Sequence, residues 1–489
     1  MLNRKHMNTL ALLLTAAMMI SMTACSNRDD KNADTITSTS ASETEPDGSE
    51  SEDAESESSA PKSTGSLITD EEISNSSDGE HAIEADGEDA SYSKVRVTKT
   101  GDSEEGDEAD FYGDNSAIFA TNGATLDLSD IVVDTDGKHA NAVFSYGEGT
   151  TVNISNSEIT TSGNCSGGLM TTGGGTMNAE DLTIHTTGNS SAAIRSDRGG
   201  GTVNVTGGSY TTDGKGSPVI YSTADITVND AQMESTSSQG VVVEGRNSVT
   251  LNNVTLVADN NSKNSDKSEW YQAVMIYQSM SGDAAEGEAS FAMKDGSLTN
   301  KNGDIFFVNN TVTTITLENV EITNQDSEGV FLRAAAAGWG SEGSNGGKVN
   351  LIFKNQKQDG DILVDSVSAL NMYLTSGSTY QGAINPDKEG KVYVEIESGS
   401  KWILSGDSYV TSLTCDADAI DLNGHTLYVN GVAYSEGTAS TGEAITLVTE
   451  SSSDRSKGGP EGGDHDAPPS GEKPNGDPPS GKKEKKEDS

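Results

Sequence analysis

The sequence predicts an all-β protein built as a single-stranded parallel β-helix with three strands per rung and a disordered tail at each end. Two observations predict this fold. A repeat of about 25 residues runs through the middle of the 489-residue chain, and the composition combines 54 glycines with only 5% aromatic residues. In a β-helix each strand pairs with the same strand of the next rung, about 4.8 Å away, so a narrow interior can be filled by small apolar side chains.

The first strand of each unit has two apolar residues separated by one other residue. Successive units begin 26, 25, 26, 23, 23, 42, 24 and 34 residues apart, so the two long steps contain insertions. Internal periods of this length are typical of solenoids. The pairs are Leu126/Leu128, Val152/Ile154, Met177/Ala179, Val203/Val205, Ile226/Val228, Val249/Leu251, Phe291/Met293, Ile315/Leu317 and Val349/Leu351.

A corner residue, a second strand and a third strand follow in register. The corner residues are types that tolerate a left-handed backbone: Asp130, Asn156, Asp181, Gly207, Asp230, Asn253, Asp295 and Asn319. The third strand supplies an apolar column, Ile118, Val143, Leu169, Ile194, Ile220, Val242, Phe306 and Phe331. A sandwich or a propeller would need regularly placed hairpin turns, and the Asn-Gly pairs of this chain are scattered instead.

Over residues 91–432 this pattern resembles the right-handed parallel β-helix proteins of the pectin-lyase-like superfamily, which include adhesin-like bacterial surface proteins. The segment from Ser400 to Ser408, with Val410 and Leu413, is similar to the closing rungs of autotransporter passenger domains. The resemblance implies a right-handed helix whose last rungs form a stabilising cap. We expect Trp402 to pack inside that cap rather than to bind a ligand.

The two ends of the chain predict export and tethering. Residues 1–24 resemble a bacterial lipoprotein signal, with Arg4 and Lys5 before an apolar run that ends at Cys25, the expected lipidation site. An ordinary secretory signal is the alternative. Residues 25–66 are rich in Ser, Asp and Glu and predict a disordered linker, as residues 448–489 predict a disordered Gly/Pro/Lys-rich tail. The β-helix is expected over 67–447, with cap rungs at about 67–115 and 391–432.

The formal charge of −46 argues against nucleic acid as a partner, because phosphate binding requires a dense basic surface. Cations, cationic surfaces and neutral sugars remain. We therefore expect a monomer at the bacterial cell surface, attached to the membrane through its lipid, whose partner is a polysaccharide or a cell-surface glycan. No cofactor is predicted, and Ca²⁺ is the one ion that the scattered acidic residues make a candidate.

Three of the eight arginines cluster at one corner of consecutive rungs. Arg195, Asp197 and Arg198 end one third strand, Tyr221 ends the next, and Glu244 and Arg246 end the one after. Arginine forks suit sugar carboxylates, so this patch is a candidate binding site. The alternatives are a salt-bridge ladder that holds the rungs in register, or the site of a polysaccharide lyase.

The two insertions form a second candidate site, because inserted loops of a solenoid often bind its ligand. Trp270 and Tyr271 lie in the 42-residue step and Trp339 in the 34-residue step. These rings could instead fold back over the helix. Neighbouring residues of the third strand are both apolar, although one of them must point outward, so loop cover, self-association or a ligand groove is expected on that side.

The remaining cysteines, Cys165 and Cys415, are 250 residues apart, or about 45 Å along the axis at the strand spacing. A disulfide requires Cα atoms within about 7 Å, so we expect both to be free thiols. No pair of facing carboxylates can be assigned for hydrolysis. The sequence therefore predicts an adhesin-like, carbohydrate-binding surface lipoprotein without catalytic activity; a uronate lyase and a purely structural stalk are the alternatives.

Overall fold

Residues 67–263 and 265–448 are described by the computed structural model, and they form a parallel β-helix with three strands per rung. The signal segment, Cys25, the linker and the tail lie outside these residues, so the predictions made for them stay predictions. None of the helices in the described part of the chain is long and apolar enough to cross a membrane.

Stack 1 contains the first strand of each unit. Leu126 pairs with Val152, Val152 with Met177, and Met177 with Val203, so the column read from the sequence is a column in space. Side chains alternate between a buried apolar face and an outer face that is mostly polar in the first half of the stack. The strands are Ala90–Ser93, Thr125–Ser129, Thr151–Ser155, Gly175–Glu180, Gly201–Thr206, Asp225–Asn229, Ser248–Ala258, Glu288–Asn300, Val312–Glu318, Lys348–Lys354, Ala369–Thr375, Lys391–Ile396 and Ser412–Cys415.

Stack 2 follows each corner, and two strands of stack 1, Ser248–Ala258 and Glu288–Asn300, continue into it without a break. The predicted corner residues other than Gly207 have φ between 45° and 56°, and Gly207 has φ 74°, which confirms the left-handed corner. The other strands of stack 2 are Glu71–Asn75, Val95–Lys99, Val132–Thr135, Glu158–Thr161, Thr183–Thr186, Ser209–Thr212, Gln232–Ser235, Glu321–Asn324 and, in a separate sheet, Lys357–Asp359, Thr379–Gln381, Lys401–Ile403 and Ile420–Asp421.

Stack 3 contains the third strand of each unit and is the sheet whose register was partly mispredicted. Ile220 pairs with Val241 rather than Val242, and Phe306 pairs with Leu332 rather than Phe331. The error arises because consecutive residues of these strands are all apolar, so alternation does not show which one points inward. A further, unpredicted strand lies inside the longer insertion. The strands are Ile83–Asp86, Ile118–Thr121, Val143–Tyr146, Leu169–Thr172, Ile194–Ser196, Ile220–Ser222, Val241–Glu244, Gln272–Tyr277, Asp304–Asn309, Leu332–Ala334 and Ile362–Val364.

The C-terminal rungs close the helix. Strands Ser408–Val410 and Leu427–Val429 pair in parallel, and Val432–Ala433 folds back antiparallel on the latter. Trp402 is fully buried and its Nε1 donates to the Gly382 carbonyl oxygen at 3.0 Å, which confirms its packing role.

Residues 440–448, which we call the strap, cross back over the outer face of stack 1. Ser440 pairs antiparallel with Cys415. The Asn371 side chain donates to the Ile445 carbonyl oxygen and accepts from its amide, both at 2.9 Å. Farther along, Lys348 Nζ donates to the Val448 carbonyl oxygen at 3.2 Å.

The cysteines differ from each other. Cys415 is a buried free thiol, as expected, so it is not paired with Cys165. The expectation of a free thiol is wrong for Cys165, which is disulfide-bonded. The rung geometry excluded Cys415 as its partner, but it could not exclude a cysteine outside the β-helix.

Candidate functional site

The outer column of stack 3 is apolar at most positions and is covered by other parts of the chain. Phe119, Phe144, Met170, Arg195, Tyr221, Val242, Met275, Phe307 and Arg333 follow one another in register along this column. Most of these side chains are buried, because two covers close over them. Of the three explanations for the apolar stripe, loop cover is therefore the one observed.

The first cover is a short helix, Asp107–Tyr112, that sequence reasoning did not predict. Gly113 ends it in the left-handed conformation (φ 84°) and lies so close to Phe119 that a Cβ would be 2.4 Å from the ring. Thr172 Oγ1 donates to the Phe111 carbonyl oxygen at 2.7 Å. The helix thereby covers the phenylalanines and the methionine at the start of the column.

The second cover comes from the two insertions. The ring of Trp339 is fully buried, with its centroid 5.2 Å from that of Tyr277. The half-buried ring of Trp270 lies 5.5 Å from Phe307, and the Arg333 guanidinium lies 4.7 Å above Trp270. These contacts are what the folded-back alternative predicted for the insertion aromatics.

A buried ion network lies between the two covers. Arg195 is only 4% exposed, and it donates to Asp110 Oδ2 at 3.1 Å and to Asp197 Oδ2 at 2.8 Å. Asp110, from the covering helix, also accepts from Asn141 at 3.1 Å and lies 3.3 Å from His139 Nδ1. The network therefore joins the helix cover to the rungs beneath it.

Burial and neighbouring charge shift the acids of this network in opposite directions. Burial favours protonation of Asp110, but the Arg195 charge, His139 and Asn141 outweigh it and hold the Asp110 pKa below its ordinary value. Burial raises the pKa of Asp197 to about 7 despite Arg195, and the nearby charge of Asp110 adds to the rise.

Glu244 is a further buried carboxylate, held by tyrosines beside the insertion cover. Its Oε2 accepts hydrogen bonds from the hydroxyls of Tyr221 and of Tyr277, the latter at 2.9 Å. Burial raises the pKa of Glu244, and these hydroxyls oppose the rise. This carboxylate is therefore buried and contacts the tyrosine side chains rather than solvent.

The residues predicted for the arginine patch are thus only partly brought together. Arg195 and Tyr221 are neighbours in the outer column of stack 3, and their side chains bond Asp197 and Glu244 respectively, which lie two residues beyond that column along the chain. Arg198 is at the edge, where it bonds Asp283 at 2.8 Å and lies 3.8 Å above the Phe111 ring.

The other predicted binding residues lie at the margins. Arg246 is exposed and lies against Gly287. Tyr271 is half-buried, with Lys263 Nζ 5.3 Å from its ring centroid. Arg195 and Trp339 are enclosed by protein atoms, whereas Arg198, Arg246, Trp270 and Tyr271 keep exposed surface. Ligand contact by any of these residues stays a prediction.

One cluster has the composition of a metal site. Asp110, His139 and Cys165 are buried, with potential ligand atoms within 4.8 Å of one another. However, a disulfide sulfur is not a thiolate ligand, and Asp110 already accepts from Arg195 and Asn141. Nor does Ca²⁺ favour nitrogen and sulfur donors. This cluster is better explained as part of the ion network.

An open groove lies on the opposite kind of surface, the polar outer face of stack 1. Its volume is about 550 Å³. Unlike the column of stack 3, the face is not covered here, and its side chains are exposed or half-buried. The groove is lined by Ser91, Asp127, Leu128, Ser129, Asn153, Ile154, Ser155, Asn178, Ala179, Glu180, Asn204 and Thr206.

A hydrogen-bonded ladder runs along the floor of this groove. Asn204 Nδ2 donates to Asn178 Oδ1 at 2.9 Å, Asn178 donates to Asn153 at 2.9 Å, and Asn153 donates to Asp127 at 2.8 Å. Each primary amide has two N–H donors and two acceptor lone pairs, so one donor and one lone pair of each amide stay available to a ligand.

Sequence reasoning missed this groove. The signal was present, because Asp127, Asn153, Asn178 and Asn204 occupy the position between the two apolar residues of four consecutive units. However, polar residues are expected on the outer face of any strand, so this column could not be distinguished from ordinary solvent-facing positions. The predicted sites were instead based on the rare Arg and Trp residues, and the region around them is mostly involved in packing.

Comparison of the chain with protein-family models, with curated proteins and with solved structures returned no match. The resemblance to the pectin-lyase-like superfamily is therefore supported at the level of architecture, as an all-β chain of stacked parallel strands. Any function must be argued from the chemistry of the described residues.

Proposed function

We propose that this chain is a cell-surface, adhesin-like protein whose β-helix binds carbohydrate in the stack-1 groove without catalysing a reaction. The observation that carries the proposal is the open, polar groove with its amide ladder. Convergent hydrogen-bond donors and acceptors in a concave surface are what a hydroxyl-rich ligand requires. The absence of basic side chains from the groove lining favours ligands other than uronate polymers.

The lyase alternative loses support from the position of Arg195. A lyase of uronates needs a cation on the substrate carboxylate, and the Arg195 guanidinium is buried and paired with two carboxylates of the protein. Of the acids in the predicted arginine patch, Asp197 and Glu244 have raised pKa values, and both are buried. Binding without turnover is the simpler function for an exposed groove.

We further propose that the protein is exported and tethered through a lipid on Cys25, as its signal-like N-terminus indicates. Mass spectrometry of the N-terminal peptide from cells tests this directly, with Cys25→Ser as the control that should leave the protein unanchored. The chain has three cysteines and Cys415 is a free thiol, so a lipid on Cys25 and a disulfide of Cys165 within the same chain exclude each other. Finding Cys25 disulfide-linked in the exported protein would therefore contradict the anchor.

The test of function combines binding and turnover. The purified full chain is incubated with immobilised neutral, amino-sugar and acidic glycans, and the ultraviolet absorbance of unsaturated uronate is followed in parallel. We expect binding without new absorbance, and weaker binding by Asn178→Ala. Growth of the absorbance would support the lyase, and binding to none of the glycans would leave the structural stalk.

A further inference from the structure

We propose that the ligand of the stack-1 groove is a linear amino-sugar polymer that lies along the helix axis, with about one sugar per rung and its ammonium groups towards Asp127 and Glu180. This inference rests on the proposed function and names the substrate class of the same site. It is carried by the period of the groove, the direction of its hydrogen bonds and the charges of its lining.

The period of the groove sets the orientation of the ligand. The ladder offers one side chain per rung at a spacing of about 4.8 Å, the distance between paired strands. This spacing is close to the length of one pyranose unit in an extended chain. In a polymer parallel to the axis, one sugar therefore lies over each of Asn153, Asn178 and Asn204, whereas a polymer across the strands meets a different surface at each sugar.

The hydrogen bonds of the ladder all point in one direction. Each amide donates toward the N-terminal end, and the chain of donors ends on Asp127. Hydrogen bonds arranged in series polarise one another. The N–H ends of the amides therefore all point toward the Asp127 carboxylate, which accepts from Asn153 through one oxygen and has a second oxygen for a cationic group.

The charges of the lining select the same ligand class. Asp127 and Glu180 are the charged residues that line the groove, and both are exposed. A polymer of uronic acids would be repelled by them, whereas an ammonium group can form a charge-assisted hydrogen bond. The lining contains no aromatic ring, so recognition must use hydrogen bonds and charge instead of stacking.

The test compares three series of oligosaccharides, from dimer to hexamer, by calorimetry on the full chain: glucosamine, N-acetylglucosamine and galacturonic acid oligomers. The pH is set so that sugar amines are protonated and exposed carboxylates are ionised. We expect the glucosamine series to bind most tightly, with affinity that rises to about the tetramer and then levels off, because the ladder has four members.

Two variants and a matched control locate the site. Asp127→Asn should weaken glucosamine oligomers about tenfold, the size of one lost charge-assisted bond, and should leave the N-acetylated series nearly unchanged. Asn178→Ala should weaken both series. Asn252→Ala is the control, since Asn252 forms the same kind of ladder bond, to Asn229 at 2.9 Å, outside the groove lining.

Each outcome separates this inference from the proposed function. Equal affinity for the amine and N-acetylated series, with Asn178→Ala weakening both, would keep the groove as a glycan site and overturn the amino-sugar class. Affinity that does not increase beyond the dimer would overturn the axial orientation. Binding that survives both groove variants unchanged, or no glycan binding at all, would overturn the proposed function itself.

Discussion

The outer faces of stacks 1 and 3 belong to the same rungs but differ in solvent exposure. On stack 3 the outer column is apolar, and a helix and two insertions cover it, enclosing an arginine and two carboxylates. On stack 1 the outer column is a ladder of amides and a carboxylate in an open groove. An apolar outer face costs free energy until it is covered, whereas a ladder of amides is stable in water and stays accessible.

Two of the rare residues singled out in the sequence, Arg195 and Trp339, are buried where the solenoid is covered, whereas Arg198 and Arg246 stay exposed at the margin of the covers. The accessible chemistry is supplied by repeated asparagines. Four experiments test this contrast between the two faces.

The largest effect is expected from the buried ion network. Arg195→Ala should lower the free energy of unfolding by about 3–5 kcal/mol, because it leaves buried carboxylates without their cation. Arg246→Ala, at an exposed position, should change it by no more than about 0.5 kcal/mol. Urea denaturation followed by circular dichroism measures both, and equal small effects would show that the Arg195 network does not stabilise the cover.

The second experiment concerns the insertion cover. Trp339→Ala should destabilise the protein by about 3 kcal/mol, as for other buried aromatic truncations. Trp270→Ala should cost less, because that ring is only half-buried. Thermal unfolding measures these changes, and neither variant should alter glycan affinity at temperatures where it is folded. A loss of affinity in folded Trp270→Ala would place the insertions in the binding site.

The third experiment uses pH. The Asp197 pKa is about 7 in the folded protein, where Arg195, Asp110 and Glu244 surround it, and about 3.9 in an unfolded chain. The folded state therefore holds this proton more tightly, so its contribution to stability is full below about pH 4 and is lost as the pH rises to about 7. Melting temperatures of the wild type and Asp197→Asn should diverge over that range; parallel pH profiles would exclude Asp197 as the group responsible.

The smallest effect is expected on the open face. Asn178→Ala removes exposed hydrogen bonds and should change the free energy of unfolding by less than about 1 kcal/mol. Urea denaturation of this variant beside Asn252→Ala measures the difference. A large destabilisation would mean that the ladder serves to hold the rungs together, and the contrast between the two faces would disappear.

Much of the fold was predictable because a solenoid repeats its constraints. The left-handed corners at Asp130, Asn156 and their equivalents, and the inward column of stack 1, recur at nearly constant spacing. The register of stack 3 was wrong at Val242 and Phe331 because both neighbours of each residue on its strand are apolar, so alternation could not decide which residue points inward.

The site was less predictable because its character depends on distant segments. Asp110 meets Arg195 across 85 residues of sequence, through a six-residue helix with no apolar periodicity long enough to detect. If the contact between Asp110 and Arg195 is not known, the sequence predicts that the arginine patch is exposed and binds anions. The groove was not predicted because its asparagines are what any solvent-facing strand would have, so nothing in the sequence marks them as a site.

The strap makes the two ends of the stack-1 outer face different. Through Ile445 and Val448 it contacts the outer face of the later rungs at Asn371 and Lys348, beyond the C-terminal end of the groove that Asp127 and Asn204 line. Among the described residues, the strap therefore sets a limit on how far a long polymer on the amide ladder can extend toward the C-terminal rungs.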